Sequence, residues 1–152
     1  ERDGAECPCG NTGCLEGLAN AESVVRNARR LIESGRESTL AEGASGAVLT
    51  AEAVANAAAA GDAVAVEALG ETGRALGAGL SNLTLILDPD VIVVGGGVAA
   101  AGEPLLAPAR EEMARRCYCG SVLLPRVIPA ELGSTAGVVG AALLARDEFL
   151  TQ

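Results

Sequence analysis

Apolar positions recur every three or four residues along parts of the chain, and this spacing predicts helices. Between residues 21 and 35 they return every three or four positions while arginines occupy the other face, which indicates an amphipathic helix. Asn20 is a suitable N-cap for this helix, and Gly35 is a suitable stop. Residues 36–47 are polar and contain glycine, so we expect a loop there.

Two further helices are predicted in the middle of the chain. Thr50 should cap a short alanine-rich helix that ends at Gly61. Asp62 should cap a long helix that reaches about Leu87 and ends at the approach to Pro89, because the residue before a proline is disfavoured in helical geometry.

The long helix has the most regular apolar stripe in the chain. The stripe consists of Val66, Leu69, Gly73, Leu76, Leu80, Leu83 and Leu87. Four glycines also fall in this helix: Gly70, Gly73, Gly77 and Gly79. Each glycine costs up to about 1 kcal/mol relative to alanine in a helix interior. We therefore expect another backbone to approach these positions closely.

The last third of the chain predicts two strands and two helices. Val91 to Val94 form an apolar, β-branched run that is typical of a buried strand, and Gly95 to Gly97 turn the chain after it. A helix should follow over residues 104–116, with a proline at its first position. Residues 122–127 predict a second strand, and Ser134 is a candidate cap for a final helix. Two strands are rarely stable alone, so we expect the remaining strands to lie upstream in a longer protein.

Composition and charge limit the classes of function. The 152 residues include one Phe, one Tyr and no Trp, so the core must consist of Ala, Val, Leu and Gly. Twenty acidic residues against 11 basic ones give a net charge of −9, which argues against nucleic-acid binding by this segment. No apolar run reaches the roughly 18 residues of a membrane span. An odd, unevenly clustered set of five cysteines favours a reducing compartment over a disulfide framework.

Thiols are concentrated near the start of the chain. Three of the five cysteines fall within eight positions: Cys7, Cys9 and Cys14. Gly10 and Gly13 would allow the tight loop that brings them together. Thiolates at this density suit zinc, which prefers four tetrahedral sulfur or nitrogen ligands. The chain has no histidine, so the fourth ligand must come from water, from Glu6 or Asp3, from another chain, or from residues upstream.

Three motifs resemble one known family. Residues 7–16, Cys-Pro-Cys-Gly-Asn-Thr-Gly-Cys-Leu-Glu, resemble the CxCGxxGCxE signature of the ROK family (repressors, open reading frames and sugar kinases). Residues 87–98 are similar to its strand and glycine turn near the nucleotide. Residues 132–142 are similar to its C-terminal helix. The three motifs in this order are specific, whereas either of the last two alone would be weak.

The resemblance implies a fold and a domain arrangement. The fold class is α/β: a helix-rich C-terminal lobe of the actin-like, ribonuclease-H-like ATPase fold, with an incomplete sheet. Residues 1–20 would form a zinc-binding loop and residues 21–152 the lobe. The N-terminal lobe would lie outside this chain, because the sequence opens with Glu-Arg-Asp-Gly rather than an initiator Met.

The resemblance also implies site residues. A structural Zn²⁺ would be held by Cys7, Cys9 and Cys14 with a histidine upstream. Glu16 would accept hydrogen bonds from sugar hydroxyls, although without the motif it reads as a first-turn glutamate favoured by the helix dipole. Gly95, Gly96 and Gly97 would face ATP, although without the motif they read as a plain tight turn.

The activity implied is phosphoryl transfer from ATP to a hexose, with Mg²⁺, by a cytoplasmic homodimer or tetramer similar to bacterial glucokinases. The catalytic aspartate and the phosphate loop would lie upstream, so this segment alone should be inert. The alternative is the sugar-sensing domain of a ROK transcriptional repressor, which would contact nucleic acid only through an upstream helix-turn-helix. A third hypothesis is a metal-stabilised structural lobe whose ligand sites have decayed.

Other polar groups favour simpler interpretations. Cys117 and Cys119 form a second Cys-x-Cys, but two ligands make a weak metal site. Asp88 and Asp90 flank a proline and suit a helix-to-strand turn. The arginines at 26, 29, 30, 115 and 116 are expected on solvated faces.

Overall fold

The computed structural model describes residues 4–41, 48–117 and 124–150. Its helices and strands are α1 (Leu15–Leu18), α2 (Ala21–Glu33), α3 (Ala51–Ala59), α4 (Ala63–Leu87), β1 (Val91–Val94), α5 (Glu103–Arg116), β2 (Arg126–Pro129) and α6 (Ala136–Leu150). Short 3-10 helices at Val98–Ala101 and Gly133–Thr135 precede α5 and α6. The helix-rich α/β class predicted from the sequence is confirmed. In the described part of the chain, no helix combines the length and the apolar character that crossing a membrane requires.

Local capping chemistry sets where the first three long helices begin, as predicted. The Asn20 side chain accepts a hydrogen bond of 2.8 Å from the Ser23 amide at the start of α2. The Thr50 hydroxyl accepts one of 3.1 Å from the Ala53 amide at the start of α3. Each bond satisfies one of the amides that a helix start leaves without a partner.

Asp62 caps α4 and also ties it to the preceding loop. Its Oδ1 accepts from the amides of Val64 (2.9 Å) and Ala65 (3.0 Å). Its Oδ2 accepts from the Ser38 hydroxyl (2.9 Å) and from the amide and hydroxyl of Thr39 (both 2.7 Å). Partial burial raises the pKa of the Asp62 carboxyl. The hydrogen bonds from Ala65, Thr39 and Ser38 outweigh that effect, so the pKa falls below its usual value, to about 2.

Asp62→Ala should lower the free energy of unfolding by about 2 kcal/mol near neutral pH, since a cap and a loop anchor are lost together. Because the folded pKa lies below the unfolded value, the ionised carboxylate contributes fully above about pH 4 and progressively less as the pH falls to about 2. The gap between variant and wild type should therefore close over that window in urea unfolding curves. Asp90→Ala is the control, since the Asp90 side chain forms no hydrogen bond with a described residue. A gap that persists unchanged at low pH would contradict the assignment.

Within the described ranges the core contains two clusters of apolar residues. The first joins α2, α3 and α4 through Val24, Ala28, Leu31, Leu40, Leu49, Val54, Ala58, Val64, Ala65, Ala68 and Leu69. The second joins α4, α5 and β2 through Leu80, Met113, Cys117 and Val127. Among the described residues neither cluster contains an aromatic side chain, and alanine, valine and leucine dominate as predicted, with Met113 and Cys117 in addition.

The apolar stripe predicted for α4 is only partly correct. Leu69, Leu80 and Gly73 are buried and Leu76 is partly buried, but three members are exposed: Val66 (41%), Leu83 (44%) and Leu87 (67%). The buried face instead carries Thr72, Gly77, Ser81 and Thr84. The hydroxyls of Thr72 and Thr84 donate to carbonyls four residues earlier, so burying them leaves no unsatisfied donor.

Glycine lets α4 and α5 touch through their backbones. A Cβ at Gly73 would overlap the carbonyl oxygen of Leu105, and one at Gly77 would overlap that of Ala109. The predicted backbone approach is confirmed at these two positions. It is wrong at Gly79, where the neighbour is the Leu15 side chain, and at Gly70, where the nearest atom would be an arginine Nη1 at 3.5 Å.

β1 and β2 pair in parallel, with Val91 opposite Arg126 and Val94 opposite Pro129, and α5 forms the crossover. The second strand was predicted over 122–127, but it begins at Arg126, whose amide donates to the Asp90 carbonyl at 3.0 Å. Pro125 has no amide to donate to a ladder, which explains the later start. Residues 122 and 123 lie outside the described ranges.

Two other predictions for this region, the burial of β1 and the cap of the last helix, differ from the structure. β1 was expected to be buried, but Val93 is 59% exposed and the other three residues of the strand are only partly buried. The cap proposed at Ser134 falls inside the 3-10 turn Gly133–Thr135, and α6 begins only at Ala136. Large apolar side chains on α6 are exposed: Val138, Leu143, Leu144 and Phe149.

Candidate functional site

The thiol loop is built by short-range backbone bonds. A β-bridge joins Glu6 to Thr12 across the loop, and the Gly10 amide donates to the Cys7 carbonyl at 2.9 Å. Gly10 and Gly13 have φ values of +88° and +69°, a region that other residues rarely adopt. The two glycines therefore allow the chain to reverse direction tightly enough to bring the three cysteines together.

The three sulfur atoms converge as predicted. The Sγ atoms of Cys7, Cys9 and Cys14 all lie within 4.8 Å of one another, and Cys9 and Cys14 are 3.6 Å apart. Bonds of about 2.3 Å to a tetrahedral zinc place two sulfurs about 3.8 Å apart. The Cys9 and Cys14 sulfurs therefore match two corners of a zinc tetrahedron, and the Cys7 sulfur is close enough to supply a third.

Hydrogen bonds within the cluster move the pKa values of Cys9 and Cys7 in opposite directions. The backbone N–H of Asn11 lowers the pKa of Cys9 most, and the thiols of Cys7 and Cys14 lower it further. For Cys7 the Cys9 amide acts to lower the pKa, but the Cys9 thiol, burial, Cys14 and Glu16 together raise it to about 11. A second thiolate beside the first is thus disfavoured, and a divalent cation in the cluster would remove that penalty.

The structure removes one of the candidates for the fourth ligand of the metal. Among the residues that the structure describes, the Glu6 carboxylate does not join the sulfur cluster, so that candidate is wrong for this geometry. Asp3 lies outside the described residues. Water, another chain and an upstream residue stay open.

Glu16 lies directly against the thiol loop. It belongs to the one-turn helix α1, whose buried Gly17 packs under the loop so closely that a Cβ would lie 3.3 Å from the Glu6 carbonyl oxygen. The Glu16 side chain is exposed, and its Oε2 accepts a hydrogen bond of 3.4 Å from the Cys7 thiol. Its Oε1 forms no hydrogen bond with a described residue, so it is available to an external donor.

The glycine turn follows the carboxyl end of β1. Gly96 has a φ of +90°, and a Cβ at Gly96 or Gly97 would meet nothing within 4 Å, so a ligand could approach this backbone closely. Gly97 also borders a cleft of about 530 Å³. The cleft is lined by Ala21, Val24, Ala51, Glu52, Ala55, Asn56, Leu69, Gly97, Val98, Ala100 and Ala101. Apolar walls with a few polar groups at this volume are typical of small-molecule sites.

Sequence reasoning missed the walls that α2 and α3 contribute to this cleft. The alanines of α3 give no chemical signal of a ligand, because the same residues would be expected in any tightly packed helix. Only the packing of α3 against the 3-10 helix after the glycine turn brings the two walls together. Of Gly95, Gly96 and Gly97, only the last lines the cleft.

All five arginines predicted on solvated faces are exposed, and four of them also bind a neighbouring group. Arg30 forms an ion pair with Glu71, and Arg115 and Arg116 both bind Glu112. The Arg26 guanidinium donates a hydrogen bond of 2.9 Å to the Gly17 carbonyl. Only Arg29 has no hydrogen bond within the described part of the chain. The sequence gives no sign of the Arg26 contact, since its acceptor is a backbone carbonyl.

The remaining polar candidates are structural. Asp88 ends α4 with a φ of +47°, which confirms the predicted helix-to-strand turn. Cys117 is buried in the second core cluster beside Met113. Cys119 lies outside the described ranges, so a metal role for that pair is not tested.

The parallel βαβ unit, the helices packed on it and the glycine turn at the end of β1 are those of one lobe of the actin-like ATPase fold of sugar kinases. The chain belongs to the ROK family, whose family model matches residues 1–148.

Individual relatives agree with this assignment. A glucokinase from Halalkalibacterium halodurans is 38% identical over 152 residues, which cover 95% of this chain and 44% of the relative. A ROK family glucokinase from Streptomyces griseus, solved with glucose and AMPPNP, superposes with a TM-score of 0.80 at 35% identity, covering 95% of this chain and 48% of that one. A xylose repressor from Caldicellulosiruptor bescii is 26% identical over 145 residues, which cover 95% of this chain and 36% of the relative. The chain thus spans less than half the length of each.

Proposed function

We propose that this chain is part of an ATP-dependent hexose kinase, to which it contributes a sugar-binding carboxylate and one wall of the nucleotide site. The observation that carries the proposal is the placement of Glu16, an exposed carboxylate fixed beside a thiol cluster with the sulfur spacing of a zinc site. The similarity to glucokinases, one of them in complex with glucose and AMPPNP, supports this assignment over other ATPases of the same fold.

Zinc would serve structure rather than chemistry. Cys7, Cys9 and Cys14 would hold it together with one ligand from outside the described residues. A metal-bound Cys7 thiolate has no proton to donate, so the contact that now occupies Glu16 Oε2 would end. Both oxygens of Glu16 could then accept hydroxyl donors, and charge-assisted bonds of this kind orient a sugar ring.

The nucleotide would lie against the turn formed by Gly95, Gly96 and Gly97. The cleft of about 530 Å³ beside Gly97 is large enough for an adenosine, and its Glu52 and Asn56 offer polar contacts among apolar walls. Mg²⁺ would accompany the ATP phosphates and neutralise their charge during transfer. No residue of this chain is assigned as the catalytic base.

Glu16→Gln in the full-length protein should raise the KM for hexose at least about tenfold, because neutralising the acceptor removes charge-assisted bonds worth about 1.5–3 kcal/mol. The KM for ATP should change less than about twofold, since the nucleotide contacts are separate. Steady-state kinetics with each substrate varied in turn would measure both. Glu22→Gln, the same change in the first turn of α2, should behave as wild type. Equal effects of the two substitutions would remove Glu16 from the sugar site.

The direct test of activity is a coupled assay of ATP consumption by the full-length protein with a panel of hexoses. Turnover with one or more sugars supports the kinase. Sugar binding without turnover would reject the kinase in favour of a sugar-sensing domain of a transcriptional repressor. The match of the xylose repressor to 95% of this chain is the observation that favours this second candidate. A helix-turn-helix at the start of the full-length sequence would accompany that outcome.

We further propose a cytoplasmic homodimer or tetramer. The thiol-rich loop suits a reducing compartment, in which Cys7, Cys9 and Cys14 stay available to a metal. Light scattering of the full-length protein would give the oligomeric state.

A further inference from the structure

Helix α1 carries Glu16 but cannot hold its own orientation. It spans only Leu15–Leu18, whereas isolated helices shorter than about 12 residues are marginal in water. Its position must therefore come from its neighbours. Two contacts are already clear: Gly17 packs under the thiol loop, and the Leu15 side chain packs on Gly79 of α4.

Those two contacts do not fix how α1 is rotated. The Leu15 contact is apolar, and apolar packing has no preferred direction. The thiol loop meets Gly17 through the Glu6 carbonyl oxygen and Cys7, and these are packing contacts as well. The hydrogen bond from the Cys7 thiol to Glu16 Oε2 is directional, but it would end once a metal replaced the Cys7 proton. A directional contact on the backbone of α1 is therefore needed to define where the Glu16 side chain points when the metal is bound.

Arg26 supplies that contact. It lies in the second turn of α2, and its Nη2 donates a hydrogen bond of 2.9 Å to the Gly17 carbonyl oxygen. The last carbonyls of a helix have no intrahelical amide partner, so the Gly17 oxygen needs an external donor. The bond involves a charged donor, which makes it stronger and more directional than a neutral one. Arg29, one turn further along α2, makes no such bond within the described residues.

We propose that Arg26 is a positioning residue for the sugar-binding carboxylate, since it fixes the Gly17 carbonyl and thereby the rotation of α1 that aims Glu16. It touches neither sugar nor nucleotide in this role. The inference rests on the proposed function of Glu16 and adds to it a residue outside the three family motifs.

The test uses the full-length protein and the variants Arg26→Gln and Arg26→Lys, with Arg29→Gln as the matched control. Arg26→Gln should raise the KM for hexose about fivefold or more, because small losses of orientation weaken substrate binding. The KM for ATP, the zinc content and the thermal midpoint should match those of Arg29→Gln. Arg26→Lys should recover part of the loss, because lysine keeps a charged donor on a long side chain.

A double-mutant cycle separates positioning from general stability. If Arg26 acts through Glu16, Arg26→Gln should have no further effect on hexose KM in the Glu16→Gln background. Three results would each overturn the inference: additive effects of the two substitutions on the hexose KM, a loss of zinc from Arg26→Gln, or the same hexose KM for Arg26→Gln and Arg29→Gln. In those cases wild-type hexose turnover would still support the proposed function. Wild-type protein without hexose binding would remove both proposals.

Discussion

Cys9→Ser should deprive the full-length protein of its zinc and of most of its hexose affinity. The Cys9 and Cys14 sulfurs lie 3.6 Å apart, close to the spacing that a shared tetrahedral metal requires. A serine hydroxyl does not ionise as a thiol does and is a poor zinc ligand, so two protein thiolates would remain. We expect the zinc content to fall from about one per chain to near zero.

The loss of hexose affinity follows from the geometry of the loop. Without the metal, Cys7 returns to a thiol that donates to Glu16 Oε2, and the loop against which Gly17 packs loses its cross-link. Two effects then act on the same carboxylate, so we expect the hexose KM to rise about a hundredfold, more than in Glu16→Gln alone. Mass spectrometry for metal, thiol titration and hexose titration measure the three quantities on one preparation.

Cys117→Ala is the control for this prediction. Cys117 is buried in the second core cluster, so its replacement should cost about 1 kcal/mol of stability and leave the zinc content unchanged. Metal retained by Cys9→Ser, or absent from reduced wild-type protein, would show that the thiol loop is not a zinc site.

The start of each long helix could be predicted because capping depends on residues two or three positions apart. Asn20, Thr50 and Asp62 satisfy nearby amides, and no distant part of the chain has to be known. The convergence of the thiols was predictable for the same reason, since two glycines and a short loop determine it locally. The three cysteines span only eight positions.

Contacts between distant segments could not be predicted. The acceptor of Arg26 is a backbone carbonyl, which is the same chemical group in every residue, so the sequence does not single out Gly17. The cleft beside Gly97 exists because α3 packs on the 3-10 helix that follows the glycine turn. Neither arrangement changes the spacing of polar and apolar residues along the chain.

The stripe of α4 was partly wrong because hydrophobicity ranks leucine above threonine and glycine. The face of α4 that meets α5 is chosen by how closely two backbones can approach, and there small residues are favoured. Val66 and Leu83 continue the 3.6-residue period but lie beside this face and are more than 40% exposed. A pattern of apolar residues therefore located the helix correctly but not the face with the closest packing.

Gly77→Ala should lower the free energy of unfolding by about 3 kcal/mol, a large effect for a single added methyl group. The added Cβ would overlap the Ala109 carbonyl oxygen and lie 2.9 Å from the Glu112 Cβ. Backbone atoms cannot rotate away as a side chain can, so α5 would have to move. That movement would also disturb Met113 and Cys117, which join α5 to the second core cluster.

Gly70→Ala is the matched control, because the two substitutions share a helix and a chemical change and differ only in what the new methyl meets. At Gly70 the nearest atoms would be the Arg74 Nη1 at 3.5 Å and the Pro108 Cγ at 3.7 Å, which are ordinary contacts. The higher helix propensity of alanine should then stabilise the protein by up to about 1 kcal/mol. If chemical unfolding shows that Gly77→Ala destabilises the protein while Gly70→Ala stabilises it, the destabilisation comes from the α4–α5 contact itself. Two stabilising effects would mean that α5 can withdraw from α4 freely, and the glycines at 73 and 77 would then need another explanation.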